Sequence, residues 1–148
     1  MAKSRVAPLN HTTIPRLELC GALTLSKLLD VIRKELQIPL DQTFAWTDSA
    51  IVIGWLNAPA AKPKTFVANR VEDIHSKIPA IHWKHVPTRS NPADLVSRGV
   101  QPKDLLQTEI WWKGPPWLSQ PPGRWPQRPD INRIRDLPDV KQKVLITS

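Results

Sequence analysis

Three acidic residues, Glu18, Asp48 and Asp94, lie where the sequence pattern predicts the beginning of a helix. Carboxylates that are brought together repel one another unless cations lie between them. Hard oxygen ligands of this type suit Mg²⁺ or Mn²⁺, which bind through few carboxylates together with substrate phosphates. Two such ions about 3.5–4 Å apart would stabilise both oxygens of an in-line phosphodiester displacement. As a set, the three acids therefore predict metal-dependent phosphodiester chemistry.

Each acid also has a purely structural interpretation. Glu18 lies four residues before Ala22 and seven before Leu25, which places it on the apolar stripe of its helix, where a carboxylate is costly unless paired or bound to a cation. Alternatively, Glu18 lies in the first turn, reaches water and interacts favourably with the helix dipole. Taken singly, Asp48 and Asp94 are better explained as residues that cap or begin a helix. Only the combination indicates a site.

The first element that must position these acids is a helix predicted over residues 16–37. Pro15 suits its first turn, Thr12 or Thr13 lies near its cap, and Pro39 lies beyond its end. Its apolar stripe recurs at steps of three and four residues and comprises Ala22, Leu25, Leu29, Ile32 and Leu36.

Two short strands are predicted, over residues 43–46 and 81–86, and further helical patterns begin near Ser49, near Phe66 and at Asn91. This order predicts an α/β fold with both strands parallel in one sheet. Phe44, Trp46 and Asp48 share parity, so Asp48 ends the first strand on its apolar-facing side. Because ligands bind at the carboxyl ends of strands in such sheets, we expect Asp48 and Asp94 to converge at one edge, with Glu18 facing them.

Composition sets the domain organisation. The chain has 148 residues, which fits one domain, and seven of its 16 prolines lie between Pro115 and Pro138. We predict a body over residues 1–114 and a Pro- and Trp-rich irregular tail over residues 115–148. Trp111, Trp112, Trp117 and Trp125 either stack on nucleic acid bases or hold this tail on the body, and we favour the second role for the first three.

Charge and hydropathy restrict the class of partner and the compartment. The net charge of +8 indicates a polyanionic partner, nucleic acid first. No apolar run approaches the roughly 20 residues that span a bilayer, so no membrane partner is expected. The N-terminus carries no secretory signal, and a single Cys suits a reducing compartment. We expect an intracellular protein, cytoplasmic or nuclear.

Five motifs in this order resemble the RNase H-like region of BEL/Pao-type LTR retrotransposon polyproteins, over about residues 2–118. They are Ile14-Pro15-Arg16-Leu17-Glu18-Leu19-Cys20, Trp46-Thr47-Asp48-Ser49, Phe66-Val67-Ala68-Asn69-Arg70-Val71, Asn91-Pro92-Ala93-Asp94-Leu95-Val96-Ser97-Arg98-Gly99 and Trp111-Trp112-Lys113-Gly114-Pro115. The resemblance implies a mixed sheet with helices on both faces. It also implies cleavage of the RNA strand of an RNA–DNA hybrid with two divalent metals, Mg²⁺ or Mn²⁺, and a position between an upstream reverse transcriptase and a downstream integrase.

Under this resemblance, Glu18 matches the helix carboxylate, Asp48 the carboxylate of the Thr-Asp-Ser motif, and Asp94 the late acidic position. All three are predicted to be catalytic and metal-binding. The family's leading Asp lies on a first strand, yet none of the 13 acids in this chain precedes Glu18. We therefore expect an N-terminally truncated, incomplete RNase H-like fold whose first strands are missing, with residues 3–9 as a strand remnant. Metal binding is expected for the complete domain, and little nuclease activity for this chain alone.

Two other functions remain open at this stage. A non-catalytic module derived from a transposable element would keep the groove of the fold and bind nucleic acid or protein. A Pro-rich adaptor would instead bind SH3-type domains through the PxxP motif of residues 126–129. His82 and His85 do not suggest a metal pair, since three residues along a strand place them on opposite faces.

Overall fold

The computed structural model describes residues 12–58, 64–127 and 137–139, and it confirms the predicted α/β class. Its helices and strands are α1 (Ile14–Glu35), β1 (Ala45–Thr47), α2 (Ala50–Asn57), α3 (Thr65–His75), β2 (Trp83–His85), α4 (Asp94–Arg98), α5 (Pro102–Gln107) and α6 (Glu109–Lys113). The predicted strand remnant at residues 3–9 and the end of the PxxP motif lie outside the described residues.

The two strands pair in parallel, as predicted, with Ala45 opposite Trp83 and Thr47 opposite His85. Each strand begins two residues later than its sequence pattern predicts. Before β2 the cause is a 3₁₀ turn over Ala80–His82, which replaces the first residues of the predicted strand. Ile81, the first residue of the predicted strand, lies in this turn and is 70% exposed.

α1 is the longest helix, and its bounds lie two residues before the predicted ones at both ends. Thr13 is its N-cap residue and Pro15 lies in its first turn, where the missing N–H of proline is harmless. The helix ends before Leu36, which is 67% exposed. The predicted apolar stripe is therefore wrong at its last residue, because that residue no longer belongs to the helix.

The hydrophobic core lies between α1, α2, α3 and one face of the sheet. Its buried members are Leu19, Ala22, Ala45, Val52, Ile53, Trp55, Leu56, Val67, Ile74, Ile78 and Trp83. α2 contributes an unbroken buried run, which is typical of a helix enclosed on all sides. Trp83 is completely buried, and its indole N–H donates to the Ile78 carbonyl at 3.3 Å.

Aromatic residues of the Pro-rich segment cover the opposite face of the sheet. The Trp117 ring lies 4.9 Å from that of Trp46, and the Trp125 ring lies 5.1 Å from Phe44 and 5.3 Å from Trp46. The expectation that Trp117 holds this segment on the body is confirmed, and Trp125 does the same. Trp112, expected to do so as well, is 62% exposed.

The Phe44 and Trp46 face is therefore apolar without facing the helical core. Ala45, of the other parity, is the strand residue buried against the helices. Parity predicted that Asp48 ends the strand on its apolar side, and this apolar side is that of Phe44 and Trp46, away from the helical core. Because both faces of the sheet are covered, side chains of either parity are apolar and alternation does not identify the core face.

Candidate carboxylate site at the end of the first strand

Glu18 is held by a hydrogen bond from the start of α2. The Ser49 hydroxyl donates to Glu18 Oε2 at 2.6 Å, across 31 residues of sequence. Since α1 begins at Ile14, Glu18 lies beyond the first turn, so an interaction with the end of the helix dipole does not explain its position. Glu18 is half-buried and paired with a hydroxyl, which lowers the cost of placing a carboxylate beside the core.

Ser49 is the residue that joins α1, β1 and α2. It is the N-cap of α2, where its hydroxyl oxygen accepts from the Val52 N–H at 3.2 Å. Its own N–H donates to the Thr47 hydroxyl at 3.2 Å, and its side chain is buried. One hydroxyl thus caps a helix and donates to the Glu18 carboxylate at the same time.

Asp48 does not cap α2, because Ser49 holds that position. Within residues 12–58, 64–127 and 137–139, the Asp48 carboxylate accepts no hydrogen bond and forms no ion pair. The structural interpretation of this acid as a cap is therefore wrong. Its carboxylate is left available at the carboxyl end of β1.

His85 fixes the main chain of Asp48. Its Nε2 lies 3.2 Å from the Asp48 carbonyl oxygen, and because a carbonyl only accepts, this nitrogen is the donor of the contact. The Val86 N–H donates to the Thr47 carbonyl at 3.0 Å, which extends the pairing of the two strands to the same level. His82 lies instead beside the Phe44 ring at 6.1 Å, so the two histidines do not face one site.

Asp94 has a different environment. It is the first residue of α4, and its carboxylate pairs with Arg98 Nη2 at 3.2 Å on an exposed surface. The Asn91 side-chain oxygen accepts from the Ala93 N–H at 3.1 Å, so Asn91 caps the turn that precedes α4. Asp94 thus begins a helix, as its structural interpretation predicts, but the helix starts later than the predicted beginning at Asn91.

The described part of the chain contains no group of three or more His, Cys, Asp and Glu side chains that could hold a metal ion. Glu18 accepts a hydrogen bond from Ser49, the residue that follows Asp48, whereas Asp94 completes no group of three with them among the described residues. The assignment of all three as catalytic and metal-binding residues stays a prediction. Sequence reasoning missed the roles of Ser49 and His85, although three capping residues in a row at Thr47-Asp48-Ser49 indicate that only one of them caps the helix.

Comparison with known proteins supports the resemblance over part of the chain. Residues 1–49 match the family model described as the Pao retrotransposon-like RNaseH-like domain. This stretch contains Glu18 and Asp48 and ends at Ser49; Asp94 lies beyond it. No curated protein and no solved structure gave a match. Among the helices of the described residues, none has the length and apolar character needed to cross a membrane.

Proposed function

We propose that this chain, which matches the Pao retrotransposon-like RNaseH-like domain over its first 49 residues, belongs to a polyprotein whose RNase H-like region cleaves RNA in RNA–DNA hybrids. The observation that carries the proposal is the 2.6 Å hydrogen bond from Ser49 to Glu18, which brings the α1 carboxylate to the end of β1, beside Asp48. An upstream reverse transcriptase, a downstream integrase and an intracellular setting belong to the same proposal.

The donor set at this end of the sheet suits a hard divalent cation. The Asp48 carboxylate has no protein partner among the described residues, and Ser49 engages only one oxygen of Glu18. Carboxylate oxygens of this kind are the ligands that Mg²⁺ and Mn²⁺ prefer. A bound cation would supply charge stabilisation for phosphodiester hydrolysis.

The surrounding residues would position these carboxylates. Ser49 restricts the rotation of the Glu18 side chain, while His85 holds the main chain of Asp48 through its carbonyl. Held in this way, the Glu18 carboxylate and the main chain of Asp48 lose little conformational freedom when a cation or a substrate phosphate binds.

Asp94 is proposed as the late acidic ligand, and for this role it must leave Arg98. Exposed ion pairs four residues apart in a helix contribute about 0.3–0.5 kcal/mol. The Arg98 side chain is 73% exposed, so the exchange of this partner for a cation is energetically small. The proposal therefore does not require Asp94 to lie at the site before a cation and substrate arrive.

The nucleic acid itself would be attracted by the positive charge of the chain. A net charge of +8 favours binding to a phosphate backbone in a salt-dependent, sequence-independent manner. The Mg²⁺-dependent part of binding should by contrast depend on the two carboxylates, which makes the two contributions separable.

The test is binding of a fluorescently labelled RNA–DNA hybrid to the full chain, by anisotropy, with Mg²⁺ and with a chelator. Glu18→Gln and Asp48→Asn should remove the Mg²⁺-dependent gain in affinity and leave the salt-dependent part unchanged. Asp41→Asn, in an exposed turn, is the matched control. A Mg²⁺-dependent gain that is equal in all four proteins would overturn the metal site.

Cleavage is a separate measurement on the same proteins. We expect the purified chain to cleave the hybrid weakly or not at all, because the described residues form no group of three or more His, Cys, Asp and Glu side chains that could hold a metal ion. Strong cleavage that disappears in Asp48→Asn would contradict this expectation and would assign a complete active site to this chain.

A non-catalytic binding module is the second candidate. The engagement of Asp94 with Arg98 favours it, since that ion pair occupies the carboxylate of the predicted late acidic ligand. This function predicts hybrid binding that is insensitive to Mg²⁺ and to both carboxylate variants.

A further inference from the structure

A three-residue segment from the Pro-rich part of the chain, Leu137-Pro138-Asp139, lies against the three helices of the core. We call it the Leu-Pro-Asp segment. The surface that receives it, the segment groove, is formed by Arg16 of α1, Gly54 and Trp55 of α2, and Lys64 at the N-cap of α3. Each of the three residues of the segment makes its own contact with the groove.

Leu137 is the apolar anchor of the segment. It is half-buried against the core, and a Cβ atom at Gly54 would lie only 2.6 Å from Leu137 Cδ2. Glycine in a helix interior costs about 1 kcal/mol relative to alanine. The space that Leu137 occupies gives a physical reason for a glycine in the middle of a buried helix.

Two main-chain contacts fix the direction of the segment. The Trp55 indole N–H donates to the Pro138 carbonyl at 2.9 Å. The Lys64 N–H, unpaired by its own helix because it is the N-cap residue, donates to the Asp139 carbonyl at 2.6 Å. Asp139 adopts a left-handed conformation with φ of 59°.

The Asp139 carboxylate is recognised in a bidentate manner. Arg16 Nε and Nη2 each donate to one of its oxygens at 2.7 Å, and Lys64 Nζ lies 3.6 Å away. The hydrogen bond from Arg16 is the main cause that lowers the pKa of Asp139. Two parallel N–H···O bonds select a planar carboxylate by geometry as well as by charge.

The guanidinium of Arg16 is positioned before it meets Asp139. It lies 4.8 Å from the centre of the Phe66 ring, which Arg70 contacts at 3.5 Å. A stacked guanidinium is restricted in orientation, so little further freedom is lost when the carboxylate binds. The groove is thus formed by residues that the core and this stack hold in place.

From these contacts we propose that the segment groove is a peptide-docking site, filled in this chain by its own Leu-Pro-Asp segment and separable from the folding of the three helices. The recognised chemistry is an apolar side chain, a proline carbonyl and a carboxylate in sequence. Docking attaches the C-terminal part of the chain to α1 two residues before Glu18. The inference does not depend on the proposed nuclease function.

The test uses the full chain with Leu137→Ala and Asp139→Asn, which empties the groove, and a labelled synthetic peptide of residues 132–142. The peptide should bind the emptied chain at least tenfold more tightly than the unaltered chain, whose groove is filled. The Asp139→Asn substitution in the peptide should weaken its binding to the emptied chain at least tenfold. The Arg16→Gln substitution in the emptied chain should weaken binding of the unaltered peptide by at least the same factor. Equal binding to the emptied and unaltered chains, or no binding to the emptied one, would overturn the proposal.

A second measurement covers the case in which the doubly altered chain does not fold. The Trp55 indole N–H resonance of the unaltered chain should shift on Asp139→Asn alone and remain unchanged in Asp104→Asn, a control on the exposed helix α5. If the Trp55 indole N–H resonance did not shift in Asp139→Asn, this would contradict the recognition of Asp139 in the groove.

Discussion

Asp48 directly follows a strand, Asp94 follows one after an intervening loop, and both lie at the start of a helix, yet their surroundings differ. The chain around Asp48 is fixed by Ser49, which is buried, and by His85 of the neighbouring strand. Asp94 lies on α4, a helix without a buried residue, and pairs with an exposed arginine. Position relative to a strand therefore does not determine how firmly the main chain at an acid is held; packing of the helix that follows does.

The largest expected effect comes from removing the core beneath the Asp48 region. Trp83→Ala should reduce the free energy of unfolding by about 3–5 kcal/mol, the usual range for a fully buried large aromatic residue. Denaturant unfolding followed by circular dichroism measures it. Trp112→Ala, at an exposed tryptophan of α6, should change stability by about 0.5 kcal/mol or less. Equal losses for the two variants would remove the contrast between the regions.

A smaller effect is expected at the residue that joins the two helices and the strand. Ser49→Ala removes the cap of α2 and the partner of Glu18, and should cost about 1–2 kcal/mol. Ser97→Ala, on the exposed helix α4, is the matched control and should cost about 0.5 kcal/mol or less. Thermal unfolding of the two variants compares them directly. If Ser97→Ala lowered the stability as much as Ser49→Ala does, burial would not distinguish the contributions of these two hydroxyls.

The sequence predicted the elements better than their contacts. α1 was identifiable because its apolar residues recur with helical spacing and Pro15 and Pro39 flank it, and the parallel pairing followed from the order of elements. The bond between Ser49 and Glu18 joins residues 31 positions apart, and no local pattern encodes it. The docking of Leu137 was also not predictable, since a Pro-rich segment has no periodicity that indicates which surface it meets.

Acid should weaken the attachment of the Leu-Pro-Asp segment to the segment groove. The pKa of Asp139 is lowered in the folded chain, chiefly by the hydrogen bond from Arg16. Its contribution is therefore present above the unfolded pKa of about 3.9 and is lost as pH falls through the lower folded value. The difference in unfolding free energy between the unaltered chain and Asp139→Asn should shrink as pH falls from 7 to 3. A difference that stays constant would contradict the ion pair.

The smallest effect is expected at the Asp94 helix. Arg98→Ala removes an exposed ion pair and should cost about 0.3–0.5 kcal/mol, less in high salt. Denaturant unfolding at two salt concentrations measures this. A loss above about 1 kcal/mol would mean that Asp94 is held as firmly as the Asp48 region, and the comparison between the two would no longer stand.

The most direct test of the metal site is a Mn²⁺ titration of the ¹⁵N-labelled chain, followed by paramagnetic broadening of its amide signals. The account predicts that the signals of Glu18, Asp48 and Ser49 broaden at the lowest Mn²⁺ concentrations, and that Asp48→Asn raises the concentration required at least tenfold. Asp41→Asn, in an exposed turn, should leave the titration unchanged. Broadening that begins elsewhere, or that persists unaltered in Asp48→Asn, would contradict a cation site at the end of the first strand.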